Sequence, residues 1–237
     1  MTITRLVPAP GGPVGLDALP ELYPRLDEPV LRVNFVSSLD GAATFEGRAG
    51  GLGGPTDQEI LKTLRTVCDA LVVGAATVRA ENYDGLRLTP ERRAWREAHG
   101  LPAYPLMVVV SRSLDLNLEQ LVFADAPRRP VVLTFAGSDP GKLDEVADLV
   151  VVEDLAEGVR ALHERGATQV LCEGGPRLFG SLVADDLVDE LCLTVSPLLT
   201  AGGASRIAWA PQATRREMAL RHVLADEDML FLRYARR

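Results

Sequence analysis

Hydrophobic residues gather in short unbroken runs separated by stretches with helical spacing. The runs VLRVNFVSSLDG (30–41), ALVVG (70–74), LMVVVS (106–111), VVLTF (131–135), DLVVV (148–152) and QVLCE (169–173) show little alternation with polar residues. Such runs suit strands covered on both faces, as in a parallel sheet. Between them the period changes. Pro55-Thr56-Asp57 opens a helix, with Asp57 and Glu59 at its positive end and Ile60, Leu61, Leu64 and Val67 along one face. AATVRAEN follows 70–74 at once as a short helix, 155–165 reads as a helix ended by Gly166, and Pro176 opens another that runs to Ala184. Strands alternating with helices predict an α/β fold with a mostly parallel central sheet flanked by helices.

Three regions depart from this rhythm. Residues 1–29 are dense in Pro and Gly and predict an arm on the surface, with one helical turn near 19–23. Residues 87–105 (RLTPERRAWREAHGLPAYP) predict a surface insertion carrying a short helix. Near the end, ELCLTVSPLL (190–199), MALRHVLA (218–225) and MLFLRYA (229–235) predict antiparallel strands at one edge of the sheet. The last two are joined by the tight turn Asp226-Glu227-Asp228. No repeat or long linker divides the chain, so 30–237 is expected to be a single domain.

Composition narrows the function. A net charge of −8 argues against nucleic acid or an anionic membrane as main partner, while leaving room for a local basic pocket. No apolar run of about 18 residues exists to span a bilayer, and the N-terminus lacks the apolar centre of a signal peptide. The expected location is the cytoplasm. Cys68, Cys172 and Cys192 are far apart, as are His99, His163 and His222, so no metal site is expected. Cys172 and Cys192 read as small buried strand residues.

Candidate chemistry collects at the strand ends, where open parallel sheets bind ligands. In CEGGPRLFGSL (172–182) a strand passes through Gly174 and Gly175 into a helix with Pro176 in its first turn. The glycines either let a pyrophosphate approach the helix N-terminus or only allow close packing, and the segment alone fits both. It is not GxGxxG, and no lysine precedes Ser181 as a P-loop requires. Gly74, Ala75, Thr77 and Val78 form a second strand-to-helix junction, suited to a phosphate or ribose hydroxyl or to ordinary capping. Ser111 and Arg112 offer a hydroxyl and a guanidinium for the phosphate that separates NADPH from NADH, or a merely solvated arginine. Asp40 in SLDG is a turn former or a site acid. Glu173, a carboxylate closing an apolar strand, needs a partner or a ligand.

VNFVSSLDG, DALVVGAATVRAEN and VLCEGGPRLFGSLVADDLVDELCLTVSPLL, in this order and spacing, resemble the reductase domain of riboflavin biosynthesis, a dihydrofolate-reductase-like fold. The resemblance runs from about Val30 to the C-terminus. The zinc-deaminase signature that often accompanies this domain is not present in the sequence. The resemblance implies NADPH-dependent reduction of 5-amino-6-(5-phosphoribosylamino)uracil, or a close ribosylaminopyrimidine phosphate, to the ribitylamino form. It places Thr77, Glu81, Ser111 and the run containing Gly175, Pro176, Arg177, Leu178 and Phe179 at the cofactor. Glu173, Arg65 and Arg87 fall on the substrate side, with Asn34, Ser38 and Asp40 at the end of the first strand. Asp40, Glu81 and Glu173 are the candidate proton donors, with solvent as the alternative. Family members are commonly dimers, so a homodimer is expected, and the apolar C-terminal strands fit either its interface or the inner core.

Three departures alter the substrate half. Asn34 stands for a lysine, Leu52-Gly53-Gly54 for a tryptophan-isoleucine-threonine-serine run, and Glu81 for an aspartate. A dihydrofolate or pterin reductase of the same fold, or an NADP-binding protein without catalysis, are the alternatives.

Overall fold

The computed structural model describes residues 2–81, 83–135 and 141–237. The N-terminal segment forms β1 (Ile3–Val7), β2 (Gly12–Val14) and α1 (Leu19–Leu22). The repeating part runs β3 (Val30–Ser37), α2 (Pro55–Val67), β4 (Ala70–Gly74), α3 (Ala75–Glu81), α4 (Pro90–Ala98), β5 (Leu106–Val110), α5 (Leu121–Ala124) and β6 (Val131–Phe135). It continues with α6 (Leu143–Val146), β7 (Asp148–Val152), α7 (Leu155–Glu164), β8 (Gln169–Cys172) and α8 (Pro176–Ala184). It closes with β9 (Glu190–Val195), β10 (Met218–Asp226) and β11 (Met229–Arg236).

The described strands form one sheet in the order β2-β1-β10-β11-β9-β3-β8-β4-β5-β6-β7. From β9 to β7 neighbours are parallel, and from β9 back to β2 they are antiparallel. The expected α/β fold with a mostly parallel centre and antiparallel C-terminal strands is therefore the one observed. β9 is the joint, parallel to β3 and antiparallel to β11. Unbroken apolar runs follow from having a core on each face. Leu71 and Val73 of β4 pack with Ile60 and Leu64 of α2, while Ala70 and Val72 face Phe179 and Leu182 of α8. Alternate side chains of a strand point to opposite faces, so each run serves both cores.

The N-terminal arm differs from expectation. β1 pairs with β10, and Ile3, Leu19 and Tyr23 are buried. The Pro/Gly punctuation marks the turns of a hairpin, and that hairpin, not the C-terminal one, forms the sheet edge. The 87–105 segment also reaches inward. Arg96 of α4 is fully buried, donating from Nη1 to the Thr66 and Cys68 carbonyls at 2.8 and 2.5 Å and from Nε to Pro102 at 2.7 Å. It thereby caps the C-terminal end of α2, where carbonyls lack intrahelical partners. All three cysteines are free, and burial pushes each thiol up to about 12. Among the described residues no helix is long and apolar enough to cross a membrane.

Candidate active site

β3, β8 and β4 are adjacent, and beyond their carboxyl ends lies a cavity of about 520 Å³. One wall is α2, which presents Asp57, Leu61 and Arg65 at four-residue spacing. Thr77 and Glu81 of α3 face it, followed by Tyr83, while Glu173 and Gly175 close the floor between β8 and α8. Asn34 and Phe35 enter from β3. Arg65 is the one cation among the described lining residues.

Arg65 and Glu173 make a two-pronged pair, Nε to Oε1 and Nη2 to Oε2, both at 2.7 Å. The Tyr83 hydroxyl donates to Glu173 Oε2 and accepts from Arg65 Nη2 at 3.3 Å. Burial opposes the charge on Arg65, but the adjacent Glu173 carboxylate more than offsets it and holds the guanidinium well above its usual range. Burial, with the Glu173 charge behind it, pushes the Tyr83 phenol well above its ordinary value. The partner demanded by a carboxylate at the end of an apolar strand is thus Arg65, from a distant part of the chain.

The glycine junction combines two roles. Gly174 has a φ of +83°, and a Cβ there would stand 2.4 Å from the Phe35 ring. Only glycine meets both conditions. Gly74 N donates to Gly174 O at 2.6 Å, joining the β4 and β8 ends. Gly180 is different in kind, since a Cβ there would lie 1.8 Å from the Trp209 carbonyl oxygen. That glycine lets the loop before β10 pack on α8.

The other sequence-selected residues are spread over several surroundings. Glu81 accepts from Ala49 N at 2.8 Å and fastens the preceding loop to α3. Ala75 and Val78 are buried under α3, and Phe179 is buried in a stack with Phe35, 5.2 Å between ring centroids. Pro176 lines the cavity, Leu178 packs near Gly74, and exposed Arg177 lies over the Trp209 ring. Ser111 is buried with its hydroxyl accepting from Leu114 N at 3.1 Å, and Arg112 lies over Phe135.

Asp40, Ser38 and Arg87 do not join the cavity lining. Exposed Asp40 accepts from Ser38 Oγ and from the amides of Thr200 and Ala201, holding a loop. The Ser38 hydroxyl foremost, then those amides, hold its carboxyl well below the usual carboxylate range. Its hydrogen bonds give Asp40 a loop-holding place outside the cavity lining. Arg87 is exposed and paired with Asp125 by two bonds of 2.6 Å. Nothing in the local pattern marks Tyr83, and Asp57 reads there as a helix-end acid. The signal for Asp57 was its place one turn before Leu61, in line with Arg65.

A sequence profile of the RibD C-terminal domain matches residues 29–231. The chain belongs to that family. Two archaeal relatives are named 2,5-diamino-6-ribosylamino-4(3H)-pyrimidinone 5′-phosphate reductase. The one from Archaeoglobus fulgidus is 29% identical over 181 residues, 73% of this chain and 83% of the relative. The one from Methanothermobacter thermautotrophicus is 29% identical over 187 residues, 75% and 82% of the two chains. The crystal structure of a pyrimidine reductase-like protein from Corynebacterium diphtheriae superposes with a TM-score of 0.84 at 27% identity, covering 93% of this chain and 98% of that one. The cavity described above lies at the carboxyl ends of the parallel strands, where the general rule for open α/β sheets places ligands.

Proposed function

We propose that this chain is an NADPH-dependent reductase of riboflavin biosynthesis that converts a ribosylaminopyrimidine 5′-phosphate into its ribitylamino form. The observation that carries the reading is the Arg65–Glu173–Tyr83 set, held in a cavity of about 520 Å³ beside the glycine junction. That volume suits a small-molecule site. Family membership and the names of the archaeal relatives support the reaction class. Those names carry a 2-amino-4-pyrimidinone, whereas the uracil implied by the sequence resemblance carries a 2-oxo group.

The residues present fit a nicotinamide dinucleotide. Gly175 leaves no space for a Cβ against Thr77, which would stand 2.5 Å away, so bare backbone and a hydroxyl share one wall. The first turn of α8 adds amides without intrahelical acceptors. Arg112 at the end of β5 is proposed to meet the 2′-phosphate. NADPH, when bound, supplies the hydride for C1′ of the opened sugar, and a proton completes the attached nitrogen. The chain's own part is to position and to exclude water. Arg65, the one cation of the described lining, is proposed to meet the substrate phosphate and Glu173 a hydrogen-bond donor elsewhere on the substrate, while Tyr83 keeps a phenolic proton against Glu173 inside the cavity.

A homodimer in the cytoplasm is part of the same reading. On the sheet face opposite buried Phe231, Leu191, Leu193, Leu232 and Tyr234 are half-buried and Leu220 and Leu230 exposed. Such an apolar face suits a second copy.

The test is NADPH oxidation followed by absorbance with each of the two ribosylaminopyrimidine phosphates. Turnover of at least one is expected. Tight NADPH binding without turnover of either would leave only a binding protein.

A further inference from the structure

Asp57 is a cavity side chain whose own partners do not account for its burial. It is 8% exposed, and among the described residues no cation pairs with it. Its one side-chain hydrogen bond comes from Thr194 Oγ1 to Oδ1 at 2.6 Å. The cation on the same face of α2, Arg65, directs its guanidinium to Glu173 and Tyr83. Asp57 Oδ2 lies 2.5 Å from where a Cβ on residue 53 would stand, so Gly53 clears the space around that oxygen. Burial pushes the Asp57 carboxyl up, the Thr194 bond favours the charged form, and the Glu173 charge adds to the rise. A buried carboxylate in this position calls for donors, and the cavity is where they would come from.

The chemistry of the donor is restricted. A carboxylate best accepts two parallel N–H bonds from one rigid edge. A 2-amino-4-oxopyrimidine offers that edge, with N3–H beside the 2-amino group. A uracil offers N3–H between two carbonyl oxygens, so pairing with a carboxylate sets oxygen against oxygen.

We propose that Asp57 reads the pyrimidine edge and admits the 2-amino-4-oxo ring in preference to uracil. The proposal rests on the reductase reading above and makes the preferred substrate the diaminopyrimidinone phosphate. Asp57 is then a substrate contact and Gly53 a positioning residue that leaves Oδ2 free to make it.

The experiment compares NADPH oxidation by the full chain with three acceptors: the 2,5-diamino-4-pyrimidinone ribosylamino phosphate, the corresponding uracil, and dihydrofolate, which bears the same 2-amino-4-oxo edge on a pterin. Wild-type kcat/KM is expected to favour the diaminopyrimidinone by roughly 10–100-fold, the worth of a charged hydrogen bond exchanged for repulsion. Asp57→Asn keeps the size and can keep the Thr194 bond, but it replaces one acceptor by a donor. It is expected to erase the preference, mainly through a raised KM for the diaminopyrimidinone. Equal loss with both phosphates overturns the proposal, as does a wild type that prefers uracil or shows no preference. The wild-type ratio decides by itself if the variant does not fold. Dihydrofolate turnover alone, abolished by Asp57→Asn, keeps the role of Asp57 and overturns the phosphate reading. No turnover of any acceptor overturns both.

Discussion

Arg65 is held by Glu173 and Tyr83 while lining the cavity, so the proposed binding role is added to a structural one. Glu173 is only 7% exposed at its side chain, and removing its cation leaves a carboxylate in poor solvent. Breaking a buried pair from one side costs about 3 kcal/mol. We therefore expect Arg65→Ala to lower the melting temperature and to raise the KM for the phosphate substrate by roughly tenfold or more. The NADPH dissociation constant should change less than the substrate KM, since the guanidinium is directed at Glu173 and Tyr83 and not at the glycine junction. Adding Glu173→Gln should restore much of the stability but not the KM. Equal weakening of substrate and cofactor would remove Arg65 from the substrate side. At this scale Glu173 was legible, because a charge closing an apolar strand has to be compensated. Its partner was not, since 108 positions separate the two residues. Asp57 was hidden by a sufficient local explanation, the helix dipole, which left no reason to ask what else it faced.

β10 shows how an element acquires properties from its neighbours. His222 is buried in it, edge-on to Tyr23 with 5.0 Å between ring centroids, and its Nε2 has no hydrogen-bond partner among the described residues. Nearby, Glu190 of β9 accepts from both Arg32 of β3 and Arg233 of β11, and these arginines also donate to the Pro24 and Leu22 carbonyls. Burial first, then the Arg233 charge, drives the His222 pKa down to about 4. An unfolded histidine titrates near 6.5. The unfolded chain therefore binds the extra proton between the two values, and stability falls as pH drops through that window. The contribution is whole above about pH 6.5, is lost toward pH 4, and is on the order of 3 kcal/mol. Urea unfolding at pH 5 to 7 should show a shallower pH slope in His222→Gln. An unchanged slope would mean that the histidine is already solvated in the folded state. The strand itself and a tight turn near 226–228 were legible from local pattern, and β10 takes in Asp226 to leave two residues in the turn. The burial of His222 was not, because it depends on α1 and β1 packing back onto the sheet.

At the scale of the whole molecule, one face of β9, β10 and β11 carries Leu191, Leu193, Leu220, Leu230, Leu232 and Tyr234, half-buried or exposed. A dimer through this face predicts that the wild type sediments at twice the chain mass and that Leu232→Lys sediments as a monomer. A monomeric wild type at micromolar concentration would refute it. The sequence by itself determined the alternation of strands and helices, the parallel centre, the closing hairpin and the glycine junction. These follow from short-range rules: the period of side chains, the turn residues and the positive φ that glycine tolerates. Tertiary structure alone decided that the N-terminal arm is the sheet edge, that Arg96 caps α2 from another helix, and that Asp40 and Arg87 stand away from the cavity. It also decided that Asp57, Arg65, Tyr83 and Glu173 meet in one cavity. Those outcomes depend on strand order, which brings β3, β8 and β4 side by side across more than a hundred residues, a distance over which local pattern carries no information.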